Sequence, residues 1–248
     1  DEMTEGWSGA DIERLARDVR RLVRPEKRTP TMADVESTLP ERTEFSPELL
    51  RRIAIHEAGH VLVASDIGIE EICEVRIQRY RSASVQGQPV SGGQTVFQPS
   101  TGLITKSAFE SMIARTFGGM EAEAALLGEM SNGSGGGPSS DLSKATELAT
   151  SMVAALGMDE HLVTEGFDHP NDLKKLRASN PLIWHRVDSV LQAQRTRARS
   201  IVDRRKPHLL ALAAALVEKG KLDGSEVQAL LQDVAENMRR SLAAEWEP

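Results

Sequence analysis

The sequence predicts a mainly α protein with one small β-sheet, and three observations carry that expectation. Aromatic residues make up 4% of the 248 while Ala and Leu recur throughout, which suits helices packed through small and aliphatic side chains. Apolar residues return at spacings of three and four over most of the chain. Strict alternation is confined to two short runs, and no internal repeat is visible.

Ser8 and Asp11 can close a capping box on a first helix over 9–23, where Ile12, Leu15, Val19 and Leu22 share a face. Pro25 to Pro30 break it, and Thr31 caps a short helix to Leu39. Residues 1–39 thus form a small helical piece with too little apolar surface for a core of their own. A polar linker over 40–45 leads to Ser46 and Pro47, a good N-cap and first helical residue, so a strong helix should run to about Ile67. Residues 72–79 alternate like a half-buried strand, and Thr95-Val96-Phe97 offers a second. A helix over 105–127 follows, then the most broken stretch of the chain, 131–140. Asp141 opens the next helix, whose predicted buried face is Leu142, Ala145, Leu148, Ala149, Met152 and Val153. After a polar loop around Asp168, His169 and Pro170, helices are expected over 182–204, 207–219 and 224–238. The larger part, 46–248, should hold the main core.

Composition excludes several function classes. With 30 Lys+Arg against 37 Asp+Glu the net charge is −7, and no basic stripe with interleaved aromatics exists, so nucleic acid is not an expected partner. The longest apolar stretch, Leu209 to Val217, is about half of what a membrane-spanning helix requires, so this chain should not insert in a bilayer. A single cysteine, Cys73, cannot form an internal disulfide or a multi-thiolate metal site and fits a reducing, cytoplasmic compartment. The opening residues carry no signal peptide and suggest a piece cut from a longer protein.

The chemistry sits on the helix over 46–67. His56-Glu57-Ala58-Gly59-His60 puts two imidazoles one turn apart on one face, the spacing that grips a zinc ion, with Glu57 offset by about 100 degrees. In a chain of this composition such a pattern arises by chance in about one per cent of cases. Leu49, Ile53, His56, His60, Val63 and Ile67 form one stripe, which fits an inward ligand face as well as a plain core.

A catalytic zinc takes three protein ligands and leaves a fourth position for water. Val63 and Asp66 stand where a metzincin needs Gly and His, and the surroundings of Cys73 supply no thiolate ligand. Of Asp141, Glu123, Glu121 and Asp66, Asp141 is the best third ligand because it lies where the glycine-rich loop meets a helix start; the competing role is an ordinary N-cap. Glu123 is expected to orient a ligating histidine, and Glu121 and Asp66 to face solvent.

Here the residues resemble the FtsH-type AAA proteases, ATP-driven zinc endopeptidases. The resemblance rests on HEAGH at 56–60, FGGMEAEAALLG at 117–128, SSDLSKATELATSMV at 139–153 and EKGKLDGSEVQALL at 218–231, and it covers nearly the whole chain. It implies a helical zinc peptidase of the HExxH zincin type over 46–248, preceded by a remnant of the AAA lid over 1–39. It further implies that His56, His60 and Asp141 hold Zn2+ and that Glu57 is the catalytic carboxylate. The segment 93–99 looks like the family's active-site edge strand, so Gly93, Gln94, Thr95, Val96 and Phe97 would hold an extended substrate; the bland reading is an ordinary strand. Met120, Ala124, Ser140 and Leu156 depart from residues usual in the family, and none is an expected ligand.

The same resemblance implies a homo-hexameric ring fed with unfolded or misfolded proteins by an AAA ATPase module encoded upstream, with any tether to the inner face of a membrane upstream as well. This sequence carries no Walker A motif: Gly220-Lys221 is followed by Leu222 and has Ala215 where the first glycine belongs. The rival reading is a non-catalytic pseudoprotease that serves as an oligomerisation or substrate-binding platform.

Overall fold

The computed structural model describes residues 7–39, 42–68, 70–82, 92–98, 102–135, 137, 139–160 and 170–244. Expectations that fall on 83–91 and on Asp168 and His169 lie outside them. The chain divides into one unit of 1–44 with 80–88 and another of 45–79 with 89–248.

In the smaller unit, α1 (Gly9–Val23) starts at the Ser8/Asp11 capping box and buries Val19 and Val23. A 3-10 turn (Arg24–Glu26) leads to α2 (Met32–Thr38), whose box pairs Thr31 with Asp34. Arg28 grips the same Asp34 carboxylate with both terminal nitrogens, at 2.5 and 2.6 Å. Part of the expected linker is strand: β1 (Arg42–Glu44) pairs antiparallel with β3 (Tyr80–Ser82). The alternating run over 72–79 correspondingly ends as β2 (Ile72–Ile77), short of its predicted end.

In the larger unit, α3 (Pro47–Ile67) is capped by the Ser46 hydroxyl and closed by Gly68 at φ 69°. Its middle, Ala54 to Ala64, is buried on nearly every side, because α4 (Lys106–Leu127), α7 (Pro181–Arg204), α8 (Lys206–Lys219) and β2 all pack on it. The single predicted stripe is therefore too narrow, and its first member, Leu49, is 37% exposed. Ile55, Leu62, Ile113, Met152, Leu209, Leu212 and Leu216 fill the core between these helices. α5 (Asp141–Ala154) buries Ala145, Ala149, Met152 and Val153, while Leu142 stays exposed in its first turn.

β2 lies between β4 (Gly93–Phe97) and β5 (Lys221–Asp223) in an antiparallel sheet of order β4-β2-β5. Besides β1 and β3, two more elements were not foreseen. The three residues of β5 become a strand only because β2 offers them a partner, and α6 (Pro170–Ser179) occupies part of the expected loop before α7. The last helix, α9 (Gly224–Ala244), runs past its predicted end. The mainly α architecture with a small sheet is as expected.

Candidate metal centre

α3 and α5 bring three side chains to one point. His56 Nε2 lies 3.1 Å from His60 Nε2 and 3.1 Å from Asp141 Oδ2, and His60 Nε2 lies 3.3 Å from the same oxygen. Asp141 is free to reach them because Ser140, at the position before it, caps α5 by accepting from the Ser143 amide. Ser is as good a cap as Asn, so this departure from the family pattern leaves the carboxylate in place.

The chemistry of this donor set fits a cation. His60 Nδ1 is 2.9 Å from the Arg115 carbonyl, which can only accept, so Nδ1 carries the proton. His56 Nδ1 is 2.9 Å from Glu123 Oε1, and an ionised carboxylate likewise only accepts. With no further proton on either ring, both Nε2 lone pairs would face each other and Asp141. Three acceptors facing one point repel unless a proton or a metal ion sits among them, and one carboxylate with two imidazoles is a suitable zinc set. In the metal-free chain, burial pulls the His56 imidazole down, but hydrogen bonds to Asp141 and Glu123 outweigh it and hold it up at about 10. Burial raises the Asp141 carboxyl, and the two histidines more than reverse this and keep it far below the usual carboxylate range.

Behind His56 stands an anchored carboxylate. Glu123 is 1% exposed; its Oε2 accepts from Arg52 Nη1 at 2.7 Å and from the Ser131 amide at 2.9 Å, and Oε1 from the Ser131 hydroxyl at 3.0 Å. Burial raises its pKa, but His56, Arg52 and Ser131 bring it down to about 2. On the adjoining face of α3, Glu57 is buried and accepts from the Thr95 hydroxyl on β4 at 2.8 Å.

Glycines make room for these contacts. A Cβ on Gly119 would stand 2.5 Å from His56 Nε2, and one on Gly93 would stand 2.5 Å from Glu57 Cγ. Within β4, Thr95 contacts Glu57 and Phe97 carries the Arg115 guanidinium 4.0 Å from its ring centroid, while Gln94 turns outward to Arg76.

Glu121 and Asp66 lie away from the three converging side chains, and neither is solvated as expected. Glu121 is 1% exposed and accepts from Arg195 Nε on α7 at 2.6 Å. Asp66 pairs with Arg204 and Arg205 at 2.8 and 3.1 Å. The arginines that cover them come from some 70 or more residues further along, so sequence proximity gave no sign of burial. Sequence reading also passed over Arg52, Ser131 and the Arg115 carbonyl. Arg52 had a signal, since it stands one turn before His56 on the same face; a loop amide and a backbone carbonyl have none.

The model of peptidase family M41 matches residues 44–230. The chain is similar to ATP-dependent zinc metalloprotease FtsH 2 of Symbiobacterium thermophilum, 30% identical over 244 residues, covering 92% of this chain and 40% of that protein. It is similar to FtsH 3 of Sphaerobacter thermophilus, 33% identical over 243 residues, covering 92% and 46%. FtsH of Methylococcus capsulatus is 30% identical over 258 residues, covering 94% and 38%. The chain thus spans less than half the length of these curated relatives.

Proposed function

The chain belongs to peptidase family M41 and is a zinc-dependent metalloprotease at the level of that family, and from this premise we propose that it is an endopeptidase acting on unfolded polypeptides with Glu57 as its general base. The observation that carries the reading is the convergence of His56 Nε2, His60 Nε2 and Asp141 Oδ2, with Glu57 on the adjoining face of the same helix. These three would hold the ion, and Glu123 would orient His56 through its Nδ1. Zinc held there supplies a Lewis acid and brings the pKa of its water to about 7. Glu57 takes a proton from the attacking water and hands it to the leaving amine nitrogen as the peptide bond breaks.

β4 is an edge strand of the sheet, which supports strand addition as the way an extended substrate is seated: backbone groups of 93–97 hold the chain regardless of its side chains. A site that reads backbone suits an unfolded protein. The relatives' names support an ATP-driven setting, in which residues 1–39 are the end of an AAA lid, 40–45 a linker and 46–248 the peptidase, working as a homo-hexamer at a cytoplasmic or membrane-tethered location. Among the described residues no helix is long and apolar enough to cross a membrane, so a tether would have to be supplied by another segment.

The test is release of labelled peptides from an unfolded reporter protein by the zinc-loaded chain, repeated with Glu57→Gln and with chelator. Cleavage that either change abolishes is expected. Binding of the reporter with no cleavage by the unaltered zinc-loaded chain would favour the pseudoprotease platform.

A further inference from the structure

Glu57 reaches its position from α3, but what holds its carboxylate comes from the sheet. Thr95 Oγ1 donates to Glu57 Oε2 at 2.8 Å, and a Cβ on Gly93, two residues earlier on the same face of β4, would meet Glu57 Cγ at 2.5 Å and Oε1 at 2.8 Å. Thr95 is itself fixed: it pairs with Val75 of β2, a residue with no exposed surface, in the middle of the β4 register. One oxygen of the carboxylate is thus bonded to a rigid strand, and the same strand passes so close at Gly93 that a side chain there would have no room.

We propose that Thr95 is a positioning residue for Glu57, and that the Gly93–Thr95 face of β4 serves to orient the base rather than to touch substrate side chains. The proposal rests on the reading of Glu57 as the general base. A carboxylate with free rotation about its last two bonds spends much of its time with neither oxygen aimed at the proton it must take, and general-base catalysis depends on reach and alignment. The Thr95 hydroxyl fixes Oε2 and leaves Oε1 for proton transfer. A hydroxyl that donates to a carboxylate acting as a base makes a hydrogen bond of the stronger, charge-assisted kind. Strand and base then move together, so a substrate that pairs along β4 is registered against the group that acts on it.

The experiment compares Thr95→Val, Thr95→Ser and Glu57→Gln in the zinc-loaded chain, measuring kcat and KM on a fluorogenic peptide, together with zinc content. Thr95→Val is expected to lower kcat about tenfold or more with KM and zinc content unchanged, and Thr95→Ser to restore most of it. A rise in KM at constant kcat, an equal loss in Thr95→Ser, or loss of zinc in Thr95→Val would overturn the proposal. Should Glu57→Gln cleave as fast as the unaltered chain, the reading of Glu57 fails instead, whatever Thr95 does. A second readout needs no turnover: a thermal-unfolding double-mutant cycle of Thr95→Val with Glu57→Ala in the chelated chain should show coupling between the two sites, and strict additivity would count against the bond.

Discussion

Gly59 of α3 and Gly118 of α4 lie back to back: a Cβ on Gly59 would stand 2.2 Å from the Gly118 carbonyl oxygen, and one on Gly118 2.4 Å from that of Gly59. The helix carrying the two histidines and the helix carrying Glu123 cross here backbone against backbone, with only the Ala122 methyl beside the contact, and this close approach lets Glu123 reach His56. Gly119, the next residue, instead faces the His56 ring.

The two neighbouring glycines should therefore fail differently. Gly118→Ala drives a methyl into backbone that cannot yield, and the loss of stability should reach or exceed the upper end of the usual overpacking cost, about 3 kcal/mol. Gly119→Ala meets a side chain that can rotate, so it should lower zinc affinity more than stability. Urea unfolding beside zinc titration separates the cases; equal stability losses in both would contradict the assignment.

The third ligand is tested by removal. Asp141→Ala leaves two imidazoles, and the purified chain should fall from about one zinc to a small fraction of one by elemental analysis. Ser140 still caps α5, so helix content by circular dichroism should hold. Full zinc occupancy in this variant would shift the ligand role elsewhere.

What the sequence reveals about such a site depends on the range of the contact. His56, Glu57 and His60 are legible because helical spacing is local, and Asp141 because a broken loop running into a helix start is visible in composition. Glu121 and Glu123 differ by two positions on α4, and the sequence reading set only Glu123 toward a histidine. Glu123 does face His56, with Arg52 beside it, but that Glu121 is equally buried, against Arg195 of α7, shows only after packing. The strand over 221–223 has the same origin: three residues carry no strand signal of their own, and β2 supplies it. The role of Thr95 was hidden similarly, since a threonine alternating in a strand shows a face but not what lies across it.

Proton and metal compete for one place in this site. In the chelated chain the folded-state pKa of His56 is about 10, above its ordinary 6.5. A raised pKa contributes stability that is fully present below the unfolded value and is lost as pH rises through the folded one, so the melting temperature should fall between pH 6.5 and about 10. Asp141 and Glu123 are shifted down, and their contribution is lost only in acid, as pH falls below the ordinary carboxylate range. Zinc replaces the proton, so the loaded chain should lack the alkaline fall. Melting curves at pH 6, 8 and 9.5, with chelator and with zinc, decide the matter: a flat chelated profile would remove the proton from His56.

The outermost support of the site is Arg52, and its effect should travel through Glu123. Replacing Glu123 by Ala removes the partner that fixes the His56 ring and should weaken zinc binding about 10–100-fold. Arg52→Met should weaken it less, because Glu123 keeps the Ser131 amide and hydroxyl as well as His56. If Arg52 acts only through that carboxylate, adding Arg52→Met to Glu123→Ala should cost almost nothing more, and the two losses should be far from additive. Competition for zinc against a chromophoric chelator measures all three variants. Additive losses would mean that Arg52 reaches the metal by another route, such as its second contact, Glu129, at 3.4 Å.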